Sequence, residues 1–476
     1  MGRLEWDKLL CEKRERSSTA ITKDSTSDVI ARNQFEADYD RIVGASFVRR
    51  LQDKAQVFPL QQNDIIRTRL THSIEVSAMA RSLGKAVGKQ LEQIGMDNFD
   101  ADKTEKLSAL LQTTGLIHDL GNPPFGHYGE TVISEWFKEW FDGDGKNVDG
   151  VKELTEQEKN DFLYFDGNVQ NIRIITKLQT QNDSYGANFT YATINTLIKY
   201  PYRSDADIIK KNKKAKFGFF KSEEDIIKRV LAATGLELGQ RHPATYLLEA
   251  ADDIIYICDD IEDGVKKGCI NWDIAYAEIE KKFGSKYKEI FDNINGREPD
   301  KNMDATEIKL ARVRNFRNFV QGYLFKRAIT EFVGHYNDIM TGTYKEKELL
   351  ACESDLISYL KKEVTARYCF SAPEVLKLEV VGDEVIRTLL DTFVPTLIKN
   401  RTALEDTSKY PGKIYKMISP NFQYIARYNY KTHNLCSVSE IGTYEMIHLA
   451  VDFISGMTDS YAVNIYKSLK GISLPY

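Results

Sequence analysis

Residues 105–130 read EKLSALLQTTGLIHDLGNPPFGHYGE, an apolar helical pattern that runs into His118-Asp119 and then stops. Leu107, Leu110, Leu111 and Ile117 recur at helical spacing, which puts them on one buried face. Gly121 and the Pro123-Pro124 pair end the helix, because glycine followed by proline is a strong terminator. The pattern resumes at 129–141 (GETVISEWFKEWF). Working outward, segment 72–88 carries Ile74, Met79, Leu83 and Val87 at the same period. Segment 243–266 opens with Pro243, a favoured first helical residue, and is apolar on several faces, as a central buried helix would be. Further helices are predicted over roughly 168–180, 223–233, 273–283, 305–334, 350–366, 383–399 and 444–468. The one candidate strand is Lys377–Val381 (KLEVV), so at most a minor short hairpin joins the helices. The expected class is all-α, with a single large helical body over 1–476.

Composition narrows the classes. The chain has 476 residues, 42% hydrophobic and 28% charged, which is ordinary globular composition and excludes wholesale disorder. Lys+Arg number 65 against 70 Asp+Glu, a net charge of −5, so any nucleic-acid contact must be a local patch. No run of 18 apolar residues occurs, and the N-terminal stretch lacks an apolar signal core. The six cysteines form no CxxC, so the expected compartment is a reducing cytoplasm, with no membrane partner. No solenoid-period repeat is present.

Chemistry gathers on a few polar residues in apolar surroundings. The chain has seven histidines, and three of them are His72, His118 and His127. A lone buried histidine is ordinarily a hydrogen-bonded core residue. An adjacent His118-Asp119 pair at a helix end is different, because both groups cost desolvation unless partnered. With His72 upstream and Asp252 downstream they make a mixed N/O set suited to Mn, Fe, Zn or Mg. Helical bundles build metal sites from such side chains on separate helices. Asp253 is the alternative to Asp252. Asp252, Tyr256 and Asp260 fall at i, i+4 and i+8, on one helix face. Asp253, Asp259, Glu262 and Asp263 are expected on a solvated or salt-bridged face. His127 and Glu130 are three apart at a helix start, so the carboxylate can orient the imidazole for proton transfer.

The blocks RRLQDKAQVFPL (49–60), RTRLTHSIEVS (67–77), HDLGNPPFGHYGE (118–130), FDGNVQNIR (165–173), EAADDIIYICDDIEDGV (249–265) and DFISGMTDSYA (452–462) stand in that order along nearly the whole chain. In this the sequence resembles the bacterial dGTP triphosphohydrolases, within the HD superfamily of metal-dependent phosphohydrolases. The resemblance implies an HD-domain helical bundle, with an HD catalytic core at 60–270. A C-terminal helical part at 300–476 would complete the substrate pocket and oligomer contacts. It implies hydrolysis of a deoxynucleoside triphosphate, dGTP foremost, at the α-phosphorus, giving deoxynucleoside and tripolyphosphate.

It also implies a divalent ion, Mn2+ or Mg2+ first and Fe, Co or Zn next, on His72, His118, Asp119 and Asp252, with His127 and Glu130 as the catalytic pair. Substrate-binding residues would be Gln56 near the 3′-hydroxyl and Val57 beside it in sequence, Arg69, Asn168 and Lys211 near the phosphates, and Tyr256 and Asp260 near the sugar. Arg67 is a weaker phosphate candidate. Tyr164 departs from the family pattern, which commonly has histidine there. Lys210, Lys211, Lys213, Lys214 and Lys216 could close over phosphates or meet nucleic acid, and Phe422 or Tyr424 could stack on a base, although a tyrosine-rich helix packed against the body is the expectation there. The family further implies a homo-oligomer, hexamer or tetramer, and a single-stranded DNA or nucleotide effector. Two alternatives stay open: another HD nucleotide phosphohydrolase or phosphodiesterase, and a nucleic-acid-binding regulator using the lysine run with Arg312, Arg314 and Arg317.

Overall fold

The apolar periodicities become helices almost throughout. The structure, a computed structural model, describes residues 2–16, 32–60, 63–180, 183–212 and 215–472; Lys213 and Lys214 lie outside them. Ten helices matter here: α1 (Arg69–Gln93), α2 (Ala101–Ile117), α3 (Gly126–Asp142), α4 (Glu156–Leu163), α5 (Gly167–Arg173), α6 (Pro243–Lys266), α7 (Ala305–Gly334), α8 (Pro373–Lys399), α9 (Thr443–Ser455) and α10 (Asp459–Leu469). Among the described residues no helix is long and apolar enough to cross a membrane.

The expected strand is not one. Lys377–Val381 lies inside α8, bracketed by the buried Val375 and Val385, while Val380 and Val381 face solvent. The apolar period of the longer helix overrides the local preference of two valines. The hairpin is elsewhere: β1 (Tyr428–Asn429) pairs antiparallel with β2 (Asn434–Leu435). The predicted helix 444–468 is two helices. Gly456 ends α9, and the Thr458 hydroxyl caps α10 by accepting from Tyr461 N–H. The predicted 350–366 begins as a 3-10 turn and continues past Tyr359 as a π-helical stretch.

Two compact units interleave along the chain. One comprises Met1–Leu10, Gln56–Leu116 and Pro243–Leu378; the other Cys11–Ala55, Ile117–His242 and Glu379–Tyr476. In the first, α1, α6 and α7 pack on one another. α1 starts early, with Thr68 as its cap and Arg69 as its first residue. Its contact with α2 is unusually close. A Cβ on Gly115 would lie 2.8 Å from Ser77 Cα, and one on Gly84 would lie 2.8 Å from Leu111 Cδ1. The Ser77 hydroxyl donates to the Gln112 carbonyl at 2.7 Å across this contact.

In the second unit α3 and α4 meet through Phe137 and Phe162, whose rings stack at 5.0 Å. Phe162 also packs on His448 of α9. Beside this apolar wall Arg173 is fully buried, held bidentately by Asp452 at 2.7 and 3.0 Å through Nε and by Glu223 at 3.1 Å.

The α1–α2 contact admits nothing larger than hydrogen at Gly115, because the opposing atoms are backbone. Gly115→Ala should therefore destabilise the protein by about 1–3 kcal/mol through overpacking. Urea unfolding of the two proteins checks this; an unchanged midpoint would contradict the close approach.

Candidate metal and catalytic site

The first unit supplies His72, Asp252 and an acidic helix. His72 sits in the second turn of α1, 1% exposed, with Nε2 3.1 Å from Asp252 Oδ1. Asp252 keeps partial exposure on α6. Its neighbour Asp253 is engaged otherwise: its Oδ1 accepts from Lys361 Nζ at 3.0 Å, and that ammonium lies 4.5 Å from the Tyr256 ring centroid. The two candidate aspartates thus differ in partner, one facing an imidazole and the other an ammonium. Tyr256 and Asp260 continue down the helix from Asp252. Burial, then the charge of Asp263, pushes Asp260 up to about 8. Burial, then Asp253 and Asp252, raises the Tyr256 phenol.

Of the two expected forms of the acidic face of α6, the salt-bridged one is present, and it is buried. Its partner is Arg67, which lies beside Glu75 at 2.9 Å, Asp259 at 3.2 Å, Glu262 at 3.1 Å and Asp263 at 2.8 Å. Burial opposes the charge on Arg67, and Asp259, Glu75 and Asp263 outweigh it, so its pKa is raised. Arg67 is therefore neither a surface residue nor a free phosphate ligand. Arg69 is 3% exposed at the start of α1. Val57 is buried at 8%, and Gln56 before it has a buried Oε1 with no hydrogen-bond partner among the described residues. An unpaired buried acceptor costs about 1–3 kcal/mol, which a hydroxyl-bearing ligand would relieve.

The second unit supplies the turn. His118 and Asp119 follow directly on α2, with His118 Nε2 3.6 Å from Asp119 Oδ1. Asn171 of α5 holds this corner by donating to the Ile117 and His118 carbonyls at 2.8 and 3.0 Å. The Pro-Pro turn then reverses through Phe125 and Gly126, both at positive φ (62° and 61°). Asp459 braces it by accepting from Phe125 N at 2.9 Å and from Ala55 N at 3.0 Å. His127 emerges on the first turn of α3 with its side chain 79% exposed, and its Nδ1 is 3.0 Å from Glu130 Oε2. The other oxygen, Glu130 Oε1, accepts from Gly167 N at 2.8 Å. A Cβ on Gly167 would lie 2.6 Å from that oxygen, so a larger residue there would displace the Glu130 carboxylate.

Asn168 stands next to Gly167. Its amide nitrogens donate to Asp166 Oδ1 at 2.8 and 2.7 Å. Lys216 pairs with the same Asp166 and also feels the charge of Glu130. Lys211, chosen from the lysine run, is instead exposed at the end of the short helix Asp207–Lys211. Sequence reading gave Lys216 no role of its own. The available signal was its neighbours, because Phe217, Phe219 and Phe220 are all buried and anchor that end of the run. Asp459 and Asn171 were missed as well, since their roles are made by backbone groups far along the chain.

Other candidates are engaged elsewhere. Arg317 pairs with Glu262, Arg314 with Glu307, and Arg312 lies 3.8 Å from Asp273, so these three are not a free basic cluster. Phe422 is buried at 4% and packs on Phe47 and Arg50. Tyr424 packs on Tyr428.

His72 with Asp252, and His118 with Asp119, are imidazole and carboxylate donors of the kind that hold divalent cations. The comparisons with known proteins agree with this chemistry. Residues 69–183 match the HD domain family. The chain is 38% identical to a deoxyguanosinetriphosphate triphosphohydrolase-like protein of Listeria monocytogenes, over 99% of this chain and all of that protein. It is 33% identical to a protein of the same description from Synechocystis, over 99% of this chain and all of that protein. It is 30% identical to a deoxyguanosinetriphosphate triphosphohydrolase of Yersinia enterocolitica, over 91% and 93% of the two chains. The protein belongs to the dGTP triphosphohydrolase-like family of HD-domain phosphohydrolases.

Arg67→Met should cost about 3–5 kcal/mol, the effect of removing one partner from a buried ionic group. Denaturant unfolding measures it. A loss below about 1 kcal/mol would show that the four carboxylates do not depend on this arginine.

Proposed function

We propose that the protein is a metal-dependent deoxynucleoside triphosphate triphosphohydrolase that acts on dGTP at the α-phosphorus, releasing deoxyguanosine and tripolyphosphate. The observation that carries this reading is the His127–Glu130 pair, held by Gly167 N–H on the turn that directly follows His118-Asp119. Full-length similarity to proteins described as such hydrolases supports it.

In this reading His72, His118, Asp119 and Asp252 hold one divalent cation, Mn2+ or Mg2+. When bound, the cation would neutralise phosphate charge and activate water. Glu130 accepts the Nδ1 proton of His127, which leaves Nε2 as the atom that exchanges a proton during the reaction. Arg69 and Asn168 take the phosphates, an arginine fork suiting paired phosphate oxygens, and the exposed Lys211 reaches them from the lysine run. Tyr256 and Asp260 meet the sugar. Gln56, with its unpaired Oε1, and Val57 meet the 3′ side, where a hydroxyl donor completes the hydrogen bonding. The catalytic core lies within 60–270, and 300–476 contributes to pocket and oligomer contacts. A homo-oligomer, hexamer or tetramer, in the cytoplasm is the expected form.

Product analysis tests the reaction. The manganese-loaded protein, incubated separately with dGTP, dATP, dCTP, dTTP and GTP, should give deoxyguanosine and intact tripolyphosphate fastest. Monophosphate with pyrophosphate would overturn the site of cleavage.

Variants test the roles. His127→Ala should keep its metal and lose turnover by about 100-fold or more, the usual contribution of a positioned acid–base group. Asp252→Ala should lose metal by elemental analysis, whereas Asp253→Ala should retain it. The reverse pattern would move the ligand to Asp253.

A further inference from the structure

The second unit contains a cavity of about 500 Å³ at the C-terminal end of α3. Lys138 of α3, Lys146 of the turn Asp144–Asn147, Lys152 and Lys159 of α4 line it. Phe141 and Leu163 give it an apolar wall, and Asp142 is its one carboxylate. Lys138, Phe141 and Asp142 are one helical face at i, i+3 and i+4, and Lys159 and Leu163 another at i, i+4. None of the residues proposed for the metal or the proton transfer belongs to it.

The four lysines share a feature that nearby Lys210, Lys216 and Lys221 lack. Among the described residues, no carboxylate lies within ion-pair distance of any of them. Lys210 and Lys221 nearby are each paired, at 2.9 Å, to Glu156 and Glu158. Those glutamates occupy the first turn of α4, so the carboxylates next to Lys159 in sequence are already taken. Four unpaired ammonium groups around one concavity repel each other, and a multivalent anion relieves that repulsion best.

We propose that this cavity is a second ligand site, for a compact oligophosphate, either inorganic or carried on a nucleoside. Its volume falls in the range of about 300–1,000 Å³ usual for small-ligand sites. A long polyanion fits less well. Glu135, Glu139, Asp144, Asp149 and Glu153 are exposed in the same segments and would repel phosphates that ran beyond the cavity. The half-exposed Phe141 ring supplies a surface on which a nucleobase can rest.

Calorimetric titration of the full-length protein with inorganic tripolyphosphate, in chelator to keep metal out, tests the site. Binding is expected to weaken by about tenfold or more in the Lys146→Gln, Lys159→Gln double variant and to persist in His118→Ala. The Lys138→Gln, Lys152→Gln pair gives the same reading independently if the first variant does not fold. Unchanged affinity in the folded lysine variants, or loss in His118→Ala, would overturn the proposal. Tighter binding of dGTP than of tripolyphosphate, with the difference removed by Phe141→Ala, would identify a nucleoside-borne ligand; equal binding would identify the inorganic one. Tighter binding of a single-stranded oligodeoxynucleotide, lost in the same lysine variants, would overturn the compact-anion assignment in favour of nucleic acid.

Discussion

A guanidinium nearly sealed from water must be matched by carboxylates, and Arg67 is matched by four. Its backbone N–H adds a bond to Asp263 at 3.0 Å. The residue stands just before α1, and three of its partners lie on α6, so this one group ties the start of one helix to the flank of another. Five residues beyond Arg67 comes His72, and one helical stretch above the acidic cluster comes Asp252. Their 3.1 Å approach spans the same two helices. Removing one member of such a buried ionic group leaves the others uncompensated, so the cluster holds only as a unit.

The second unit solves a comparable problem with backbone instead of charge. His118 and Asp119 stand at the end of a helix, where carbonyls lack intrahelical donors. Asn171 satisfies the Ile117 and His118 carbonyls. Glycine then lets α5 approach: a Cβ on Gly121 would lie 2.0 Å from the Gly167 carbonyl. The same approach places Gly167 N–H on Glu130, which in turn orients His127. In the GNPPFGHYGE turn, Gly121 and Gly129 each face a backbone carbonyl too close for a Cβ.

Much of this was legible in the amino-acid order. α6 and α7 begin and end where the apolar period and the Pro243 start placed them, because long periodic segments bury one face whatever their neighbours. His118-Asp119 stood out because a polar pair in an apolar context needs a partner. The misses have physical causes too. Lys377–Val381 resembled a strand only in a five-residue window, and the helix around it is 27 residues long. α9 and α10 were merged because Gly456 within an apolar run gives a weak break until Thr458 caps the next helix.

The order of residues by itself determined an all-α class, the HD turn, the metal-donor residue types and the family. These depend on local period, on turn chemistry and on residue identity, which the chain carries along its length. Tertiary structure alone decided that Asp252 meets an imidazole while Asp253 meets Lys361, and that Arg67 serves the core rather than a phosphate. It also placed Lys216, not Lys211, beside Asp166. Adjacent residues of one type are equivalent in a sequence; they become distinct only when a helix turns each toward a different neighbour.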